Sequence, residues 1–249
     1  MTDFYTSTED DLSVVTDLDL ELIDHVPDER FPWLLWSFVK VRQPNENGLP
    51  QKEEELTLHD LRHELIHALH ENLQVVYAGS RLVDGWLELY FYAPSPKRYE
   101  NIVTQTMGAY KEYAHESGSR RDAKWEQYLR TLYPDARQFQ QIQSRHTILA
   151  LSEEGDDLTL ERPVEHYIFF KTRSNEERFS DKALEMGFTL KEQVEQDDET
   201  YPYGVVLERA GAVTFEATEA CIDMLFAEVL KEHGVYEGWS TALAKEADV

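Results

Sequence analysis

Cysteine is nearly absent from this 249-residue chain, in which Cys221 is the only example. One cysteine excludes a disulfide within the chain and a zinc cluster built from several cysteines, and it fits a reducing compartment. Long hydrophobic runs are also missing, since no stretch approaches the roughly 20 apolar residues that a membrane span requires. The first residues, MTDFYTSTEDD, lack the basic start and apolar run of a signal peptide. We therefore predict a cytoplasmic protein.

Basic residues are scarce, with 24 Lys and Arg against 49 Asp and Glu and a net charge of -25. Such a surface repels RNA, DNA and anionic membranes and is attracted to a basic protein surface. The alternative is that the acidic residues only keep the protein soluble. The first 29 residues contain ten acidic and no basic residues. Their charge predicts a tethered acidic arm. The alternative is an edge strand, because DLSVVTDLDLELIDHV alternates apolar and polar residues. The 41% of hydrophobic residues are enough for packed cores.

The N-terminal half predicts strands and helices in β-α-β-β-α-β order, which is the ferredoxin-like arrangement. FPWLLWSFVKVR is a strand, and a helix starts at Thr57, which has capping-box spacing to Asp60. QVVYAGS and RLVDGWLELYFYA pair as a hairpin at or just before Asp84-Gly85. A second helix runs from Lys97 to about Ala114, and KWEQYLRTLYP (124–134) is the final strand.

The C-terminal half predicts the same order. RPVEHYIFFKT is a strand, followed by a helix with a Ser174 and Glu177 capping box and Gly187 at its C-cap. FTLKEQVEQ and YPYGVVLER are strands separated by an acidic turn at Asp197 and Asp198. A long helix opens at Thr214, and YEGWSTAL is the last strand.

Between the halves, the segment 135–152 predicts a connecting helix, after which EEGDDLTLERP breaks the pattern. The predicted fold class is therefore α+β, with two ferredoxin-like domains that have antiparallel sheets and are joined by a connecting helix. We place the N-terminal domain at 1–134, the connecting helix and linker at 135–155, and the C-terminal domain at 156–249.

One motif in the first helix points to metal chemistry. His63-Glu64-Leu65-Ile66-His67 fits H-E-x-x-H, in which two histidines bind zinc and the glutamate acts as general base. The Gly and third His of the extended motif are replaced by His70 and Leu73, and downstream only Asp84 and Glu88 are available as a third ligand.

The helical period gives a second objection to a zinc site. The histidine stripe falls on the side opposite the helix's leucines, which predicts that its imidazoles face solvent. The stripe consists of His59, His63, His67 and His70, and the leucines are Leu58, Leu61, Leu65 and Leu69. A zinc-dependent hydrolase using His63, Glu64 and His67 remains the alternative hypothesis.

Other candidate groups have simpler structural interpretations. Cys221 precedes Ile222 in an apolar helix and lacks a convincing nearby histidine, so it is interpreted as a small buried residue. His166 lies in VEHYIFF and is interpreted as a sheet residue. The five tryptophans favour core packing or a protein interface over base stacking in so acidic a chain. We therefore predict no catalytic, cofactor-binding or metal-binding residue.

The segment from Asp157 to Leu243 resembles the ribonuclease E inhibitor family, also called regulator of ribonuclease activity B. The resemblance is carried by VEHYIFF, ALEMGF and GVYEGWSTAL, and above all by the glycines, Tyr236 and Trp239 of the last segment. It implies a small, acidic, ferredoxin-like protein that binds ribonuclease E and inhibits RNA cleavage without being an enzyme. Tyr236 and Trp239 would be apolar anchors if exposed, and core residues otherwise.

The segment 12–134 is similar to a bacterial domain family of unknown function, through NGLPQKEEELTLHDLRHEL, SRLVDGWLELYFYA and KWEQYLRTLYP. Together the two resemblances imply a non-enzymatic, acidic, protein-binding regulator of bacterial origin. Its expected partner has a basic surface, with ribonuclease E as the first candidate, and neither nucleic acid nor membrane is expected to bind directly. A module that binds a small ligand between the domains is a third hypothesis, which no residue pattern favours.

Overall fold

The computed structural model describes residues 3–197 and 200–245. The chain divides between Gln138 and Phe139 into two compact units, the N-terminal unit and the C-terminal unit. Each unit has an antiparallel sheet with helices, which confirms the predicted α+β class. None of the helices in these described ranges is long and apolar enough to cross a membrane.

Over residues 3–135 the N-terminal unit has six strands and two α-helices. They are β1 (Asp3–Glu9), β2 (Leu12–Leu18), β3 (Trp33–Lys40), α1 (Lys52–Asn72), β4 (Val76–Val83), β5 (Trp86–Ala93), α2 (Tyr99–Met107) and β6 (His115–Arg121). The strand order in the sheet is β1-β2-β4-β5-β3-β6, and every neighbouring pair is antiparallel. From β3 to β6 the elements follow the predicted β-α-β-β-α-β order, and the hairpin β1-β2 extends the sheet beyond β4.

Helix α1 buries the leucine face that its sequence period predicts. Its buried residues are Leu58, Leu61, Leu65 and Leu69, which join the core between the helices and the sheet. The helix begins at Lys52 with Gln51 as its N-cap, so the predicted start and capping box at Thr57 are wrong. Three glutamates in the first turn, 53–55, complement the positive end of the helix dipole and favour the earlier start.

Two hairpins turn on consecutive residues in the left-handed region. Asp84 and Gly85 have φ values of 47° and 74° and connect β4 to β5, which confirms the predicted hairpin. Asp10 and Asp11 have φ values of 47° and 65° and connect β1 to β2. Of the two hypotheses for the acidic N-terminal segment, the structure therefore favours the strand, but the alternating segment forms β2, which lies inside the sheet between β1 and β4, and the edge strand is β1.

The end of the N-terminal unit differs from the prediction. Helix α2 ends at Met107, where Gly108 donates its N–H to carbonyls of the last turn, rather than near Ala114. The sixth strand is β6, whose sequence HESGSRR has no apolar alternation, and 124–134 is not a strand. That segment contains a short π-helix, Tyr128–Leu132, because its buried aromatic and leucine residues recur at helical spacing rather than alternately.

The C-terminal unit repeats the β-α-β-β-α-β order. Its elements are β7 (Arg162–Phe170), α4 (Arg173–Glu185), β8 (Thr189–Glu195), β9 (Tyr203–Gly211), α5 (Phe215–Lys231) and β10 (Val235–Thr241). They are preceded by α3 (Ala136–Glu153), close to the predicted connecting helix. The antiparallel sheet has the order β10-β7-β9-β8, and α4 and α5 pack on one of its faces.

Of the two predicted N-caps in this unit, the one of α5 is confirmed and the one of α4 is wrong. Thr214 caps α5 as predicted, with its hydroxyl accepting a hydrogen bond from the N–H of Ala217 at 3.3 Å. The cap of α4 is Thr172 rather than Ser174, since the Thr172 hydroxyl accepts from the N–H of Asn175. Of the predicted acidic turn, Asp197 follows β8 and Asp198 lies outside the described residues.

Helix α3 covers the outer edge of β10, the end strand of the sheet. The side-chain amide of Gln140 donates to the Tyr236 carbonyl at 3.1 Å, and the Trp239 indole N–H donates to the Ser144 hydroxyl at 3.0 Å. An uncovered edge strand presents unpaired backbone groups to other chains. The helix therefore protects one side of the sheet and fixes the position of Trp239.

Candidate functional site

The histidine stripe lies on the solvent side of α1, as its sequence period predicts. All four imidazoles are exposed, while the four leucines on the opposite side are buried. Two imidazoles, those of His59 and His63, are neighbours with 3.1 Å between their Nε2 atoms. Slight desolvation of the ring, and after it the charge of the nearby His59, lower the pKa of His63 below its usual range.

The groups needed to complete a zinc hydrolase do not gather around this stripe. Glu64 lines a groove between α1 and α2, beside Arg98 and Ile102. Asp84 lies in the β4-β5 turn, and Glu88 alternates with core residues of β5, so it points away from α1 towards Arg81. Among the residues that the structure describes, no three His, Cys, Asp or Glu side chains form a metal-binding group. The geometry does not support a zinc hydrolase centred on this motif.

In the C-terminal unit, the sheet brings together a histidine, a tyrosine and a cysteine. His166 on β7 lies with its Nδ1 2.7 Å from the hydroxyl of Tyr236 on β10. Its Nε2 lies 3.5 Å from Sγ of Cys221 on α5. The interpretation that Cys221 lacks a nearby histidine is therefore wrong, because the chain folds back over a separation of 55 positions and places the two side chains together.

Burial controls the ionisation of this cluster. His166 is only 1% exposed, and burial, assisted by the charge of Arg209, lowers its pKa to about 4. Burial also raises the pKa of the Cys221 thiol, so at neutral pH both groups are uncharged. The predicted position of His166 in a sheet and the predicted packing of Cys221 in a helix agree with this arrangement.

The two residues considered as apolar anchors are mainly structural. Tyr236 is 3% exposed and belongs to the core of the C-terminal unit. Trp239 is partly buried against the same core and hydrogen-bonded to Ser144. Gly238, between them, has φ 152° and lies beside a bulge of β10. These contacts favour core packing over a role in binding for Tyr236.

The outer surface of α4 and α5 is acidic because it has more carboxylates than basic side chains, and each basic side chain is paired with a carboxylate. The four basic residues of these helices form ion pairs with neighbouring carboxylates, namely Arg173 with Glu176, Arg178 with Glu232, Lys182 with Glu185 and Lys231 with Glu228. Four further carboxylates on the two helices are exposed. We call them the acidic helical face, which consists of Glu177 and Asp181 on α4 and Glu216 and Asp223 on α5.

Residues 3–133 match the model of a protein family described as a family of unknown function (DUF695). The match covers more than half of the chain. The chain belongs to this family. In this DUF695 chain, residues 141–241 also match the model described as regulator of ribonuclease activity B. Both resemblances predicted from the sequence are thereby confirmed.

Solved structures are similar to the DUF695 chain only at low identity. An unknown protein from Galdieria sulphuraria is 10% identical, over 83% of this chain and 96% of its own, with a TM-score of 0.24. A putative glycine cleavage system transcriptional repressor is 10% identical over 84% and 98%, with a TM-score of 0.25. BT0572 from Bacteroides thetaiotaomicron is 8% identical over 83% and 92%, with a TM-score of 0.17. TM-scores this low support no conclusion about function. No curated protein matches the chain significantly.

Proposed function

We propose that this protein is a non-enzymatic, cytoplasmic regulator that binds a ribonuclease. Its acidic surface would contact a basic surface of the ribonuclease, and ribonuclease E is the first candidate. The observation that carries the proposal is the match of residues 141–241 to regulator of ribonuclease activity B, on a unit with an acidic outer surface. In this proposal the C-terminal unit binds the partner. The N-terminal unit adds a second folded body of unknown role.

The acidic helical face is the part of the C-terminal unit that we assign to the partner. Its exposed carboxylates lie on two helices whose basic side chains are neutralised by ion pairs, so the surface has a negative field with few competing cations. A negative surface increases the rate of encounter with a basic one and repels RNA. Occupying a basic surface that otherwise receives RNA would inhibit cleavage without chemistry on the substrate.

The test measures binding of the full-length protein to purified ribonuclease E by biolayer interferometry at several salt concentrations. The test variant removes three charges of the acidic helical face by Glu177→Gln, Asp181→Asn and Glu216→Gln. Since exposed charges at an interface act mainly on association, we expect a rate constant of association lower by roughly tenfold at low salt and a weaker salt dependence.

A matched control variant removes three exposed carboxylates from the N-terminal unit by Glu29→Gln, Glu46→Gln and Glu71→Gln. It removes the same number of negative charges, so a surface-specific effect leaves its binding close to that of the original protein. Equal losses in both variants would show that only total charge matters, and would reject the assignment to α4 and α5. No binding of the original protein at low salt would reject ribonuclease E as the partner.

A further inference from the structure

A small cavity of about 70 Å³ lies between the sheet and the first turns of α5 in the C-terminal unit. We call it the α5 pocket. Two small residues that line it, Ala210 and Ala217, are exposed, so the pocket opens to solvent. The proposed protein-binding function does not use this cavity. Its polar lining residues are His166, Arg209, Thr218 and Cys221.

Arg209 gives the α5 pocket a positive charge that no carboxylate of the described residues balances. Its guanidinium carbon lies 4.8 Å from the centroid of the Phe188 ring, and within the described part of the chain it forms no ion pair. Glu208, the preceding residue of β9, points to the opposite face of the sheet, where it pairs with Lys191. A guanidinium that stacks by its face keeps the N–H groups at its edge for a ligand, and these groups are donors only.

The hydroxyl of Thr218 lacks the hydrogen bond that other helical threonines make. Thr104, Thr106 and Thr147 donate to the carbonyl four residues earlier, at 2.8 Å, 3.0 Å and 3.1 Å. The Thr218 hydroxyl is buried and has no hydrogen-bond partner among the described residues, and the residue is only 5% exposed. A buried hydroxyl without a partner is costly, and such groups frequently mark a ligand or water. Since Thr218 lines the pocket, a ligand there is in position to accept this hydrogen bond.

The start of α5 favours a negative charge at the same place. Ala217 and Thr218 are the third and fourth residues of this 17-residue helix, and the first turn of a helix carries the positive end of its dipole. The acidic residue of that turn, Glu216, is exposed and belongs to the acidic helical face. Burial keeps His166 and Cys221 uncharged at neutral pH, so neither cancels the charge of the guanidinium. The helix, the guanidinium and the hydroxyl therefore all favour an anion that accepts hydrogen bonds.

The lining of the α5 pocket selects the kind of anion. A guanidinium presents paired N–H groups that match the two oxygens of a carboxylate. Phosphate has more charge and more acceptor oxygens than one cation and one hydroxyl satisfy. The remaining wall, with Val164 and Ala217, is apolar and suits a short hydrocarbon chain. We propose that the pocket binds a short-chain aliphatic carboxylate, with its oxygens on Arg209 and Thr218 and its alkyl group against the apolar wall.

The test titrates sodium acetate and sodium propionate into the full-length protein at constant ionic strength and follows each ligand by saturation-transfer NMR. We expect millimolar dissociation constants, because ligands of so few atoms have limited affinity, and tighter binding of propionate, which buries one more methylene. Arg209→Gln should weaken propionate binding roughly tenfold. Thr218→Val, which keeps the shape and removes the hydroxyl, should weaken it roughly threefold. The matched control Arg130→Gln removes one positive charge from an exposed ion pair of the N-terminal unit and should leave propionate binding unchanged.

The only cysteine of the chain allows a second measurement, because Cys221 lines the pocket and an occupied pocket shields its thiol. Reaction with a neutral disulfide reagent should slow roughly threefold at saturating propionate, and Arg209→Gln should remove this protection. Propionamide, which has the same shape without the charge, should not protect.

Circular dichroism must show that each variant is folded. If Arg209→Gln does not fold, Thr218→Val and the comparison of propionate with propionamide decide the outcome. Three results would each overturn the proposal: propionate binding that neither variant weakens, equal protection of the thiol by propionamide, and displacement of propionate more strongly by inorganic phosphate than by acetate.

Discussion

The hydroxyl of Tyr92 on β5 donates a hydrogen bond to Oδ2 of Asp122 at 2.7 Å. Asp122 follows β6 and also accepts the N–H groups of Glu126 and Gln127, at 2.9 Å and 3.0 Å. The ring of Trp125 stacks on Tyr92, with 3.7 Å between ring centroids and 7° between planes. These contacts attach the segment around the π-helix to the sheet of the N-terminal unit.

Replacement of Asp122 by alanine should destabilise the N-terminal unit. The side chain is buried, so its loss leaves the Tyr92 hydroxyl and two backbone donors without their partner. We expect the free energy of unfolding to fall by about 2–3 kcal/mol, measured by urea denaturation. The control is Glu126→Ala, which retains the N–H donor and removes only an exposed ion pair, and its expected effect is below about 0.5 kcal/mol. Similar effects of the two variants would contradict the assigned role of Asp122.

Stability should depend on pH through the same carboxylate. Burial opposes ionisation of Asp122, but the hydrogen bonds from Tyr92, Gln127 and Glu126 outweigh it and hold its pKa below the usual range. An unfolded aspartate has a pKa of about 3.9, so the ionised group stabilises the fold above that pH and loses this contribution as pH falls through the folded-state pKa. The destabilisation caused by Asp122→Asn should therefore be constant from neutral pH to about pH 5 and shrink below about pH 4. A destabilisation that stays constant to pH 3 would refute this.

Gly204 is required for space in the C-terminal unit. A Cβ added at this position would lie 2.5 Å from the ring of Phe169 on the neighbouring strand. Gly204→Ala should therefore lower the free energy of unfolding by about 1–3 kcal/mol, because the ring must move out of a packed position. Gly211→Ala is the control on the same strand, since open space surrounds that position. An equally large loss in Gly211→Ala would point to backbone effects instead of the ring.

Tyr236 should act through His166 and not through a partner. Tyr236→Phe keeps the buried ring and removes the hydroxyl, which leaves Nδ1 of His166 without this partner. We expect a loss of about 1–2 kcal/mol in the free energy of unfolding and unchanged affinity for ribonuclease E in the folded protein. Tyr167→Phe, whose hydroxyl is only half-buried, should cost less than 1 kcal/mol by the same measurement. Weaker partner binding by folded Tyr236→Phe would restore the anchor hypothesis.

The fold was predictable from the sequence where one face of an element is apolar. The leucine period of α1 and the turn at Asp84-Gly85 carry local signals, and both were recovered. Strand β6 carries no such signal because its residues are almost all polar or glycine and its position depends on pairing with β3. The residues of 124–134 are apolar enough for a strand, and only the burial of Trp125 and Tyr128 shows their helical arrangement.

The candidate sites were predictable to a lesser degree. Composition alone gave the acidic character, but not which carboxylates remain exposed after the ion pairs form. The proximity of His166 and Cys221 depends on the register of β7 and on the packing of α5 over it. No local spacing connects two residues that are 55 positions apart.

The β1-β2 hairpin has a consequence for any shortened form of the protein. Strand β2 occupies the outer edge of β4, and the Tyr5 hydroxyl on β1 donates to the Leu132 carbonyl at 3.0 Å. A fragment trimmed to begin at β3 would leave β4 as a bare edge with its backbone N–H and carbonyl groups exposed. Such an edge pairs readily with the same edge of a second molecule, so the trimmed fragment is expected to aggregate in solution.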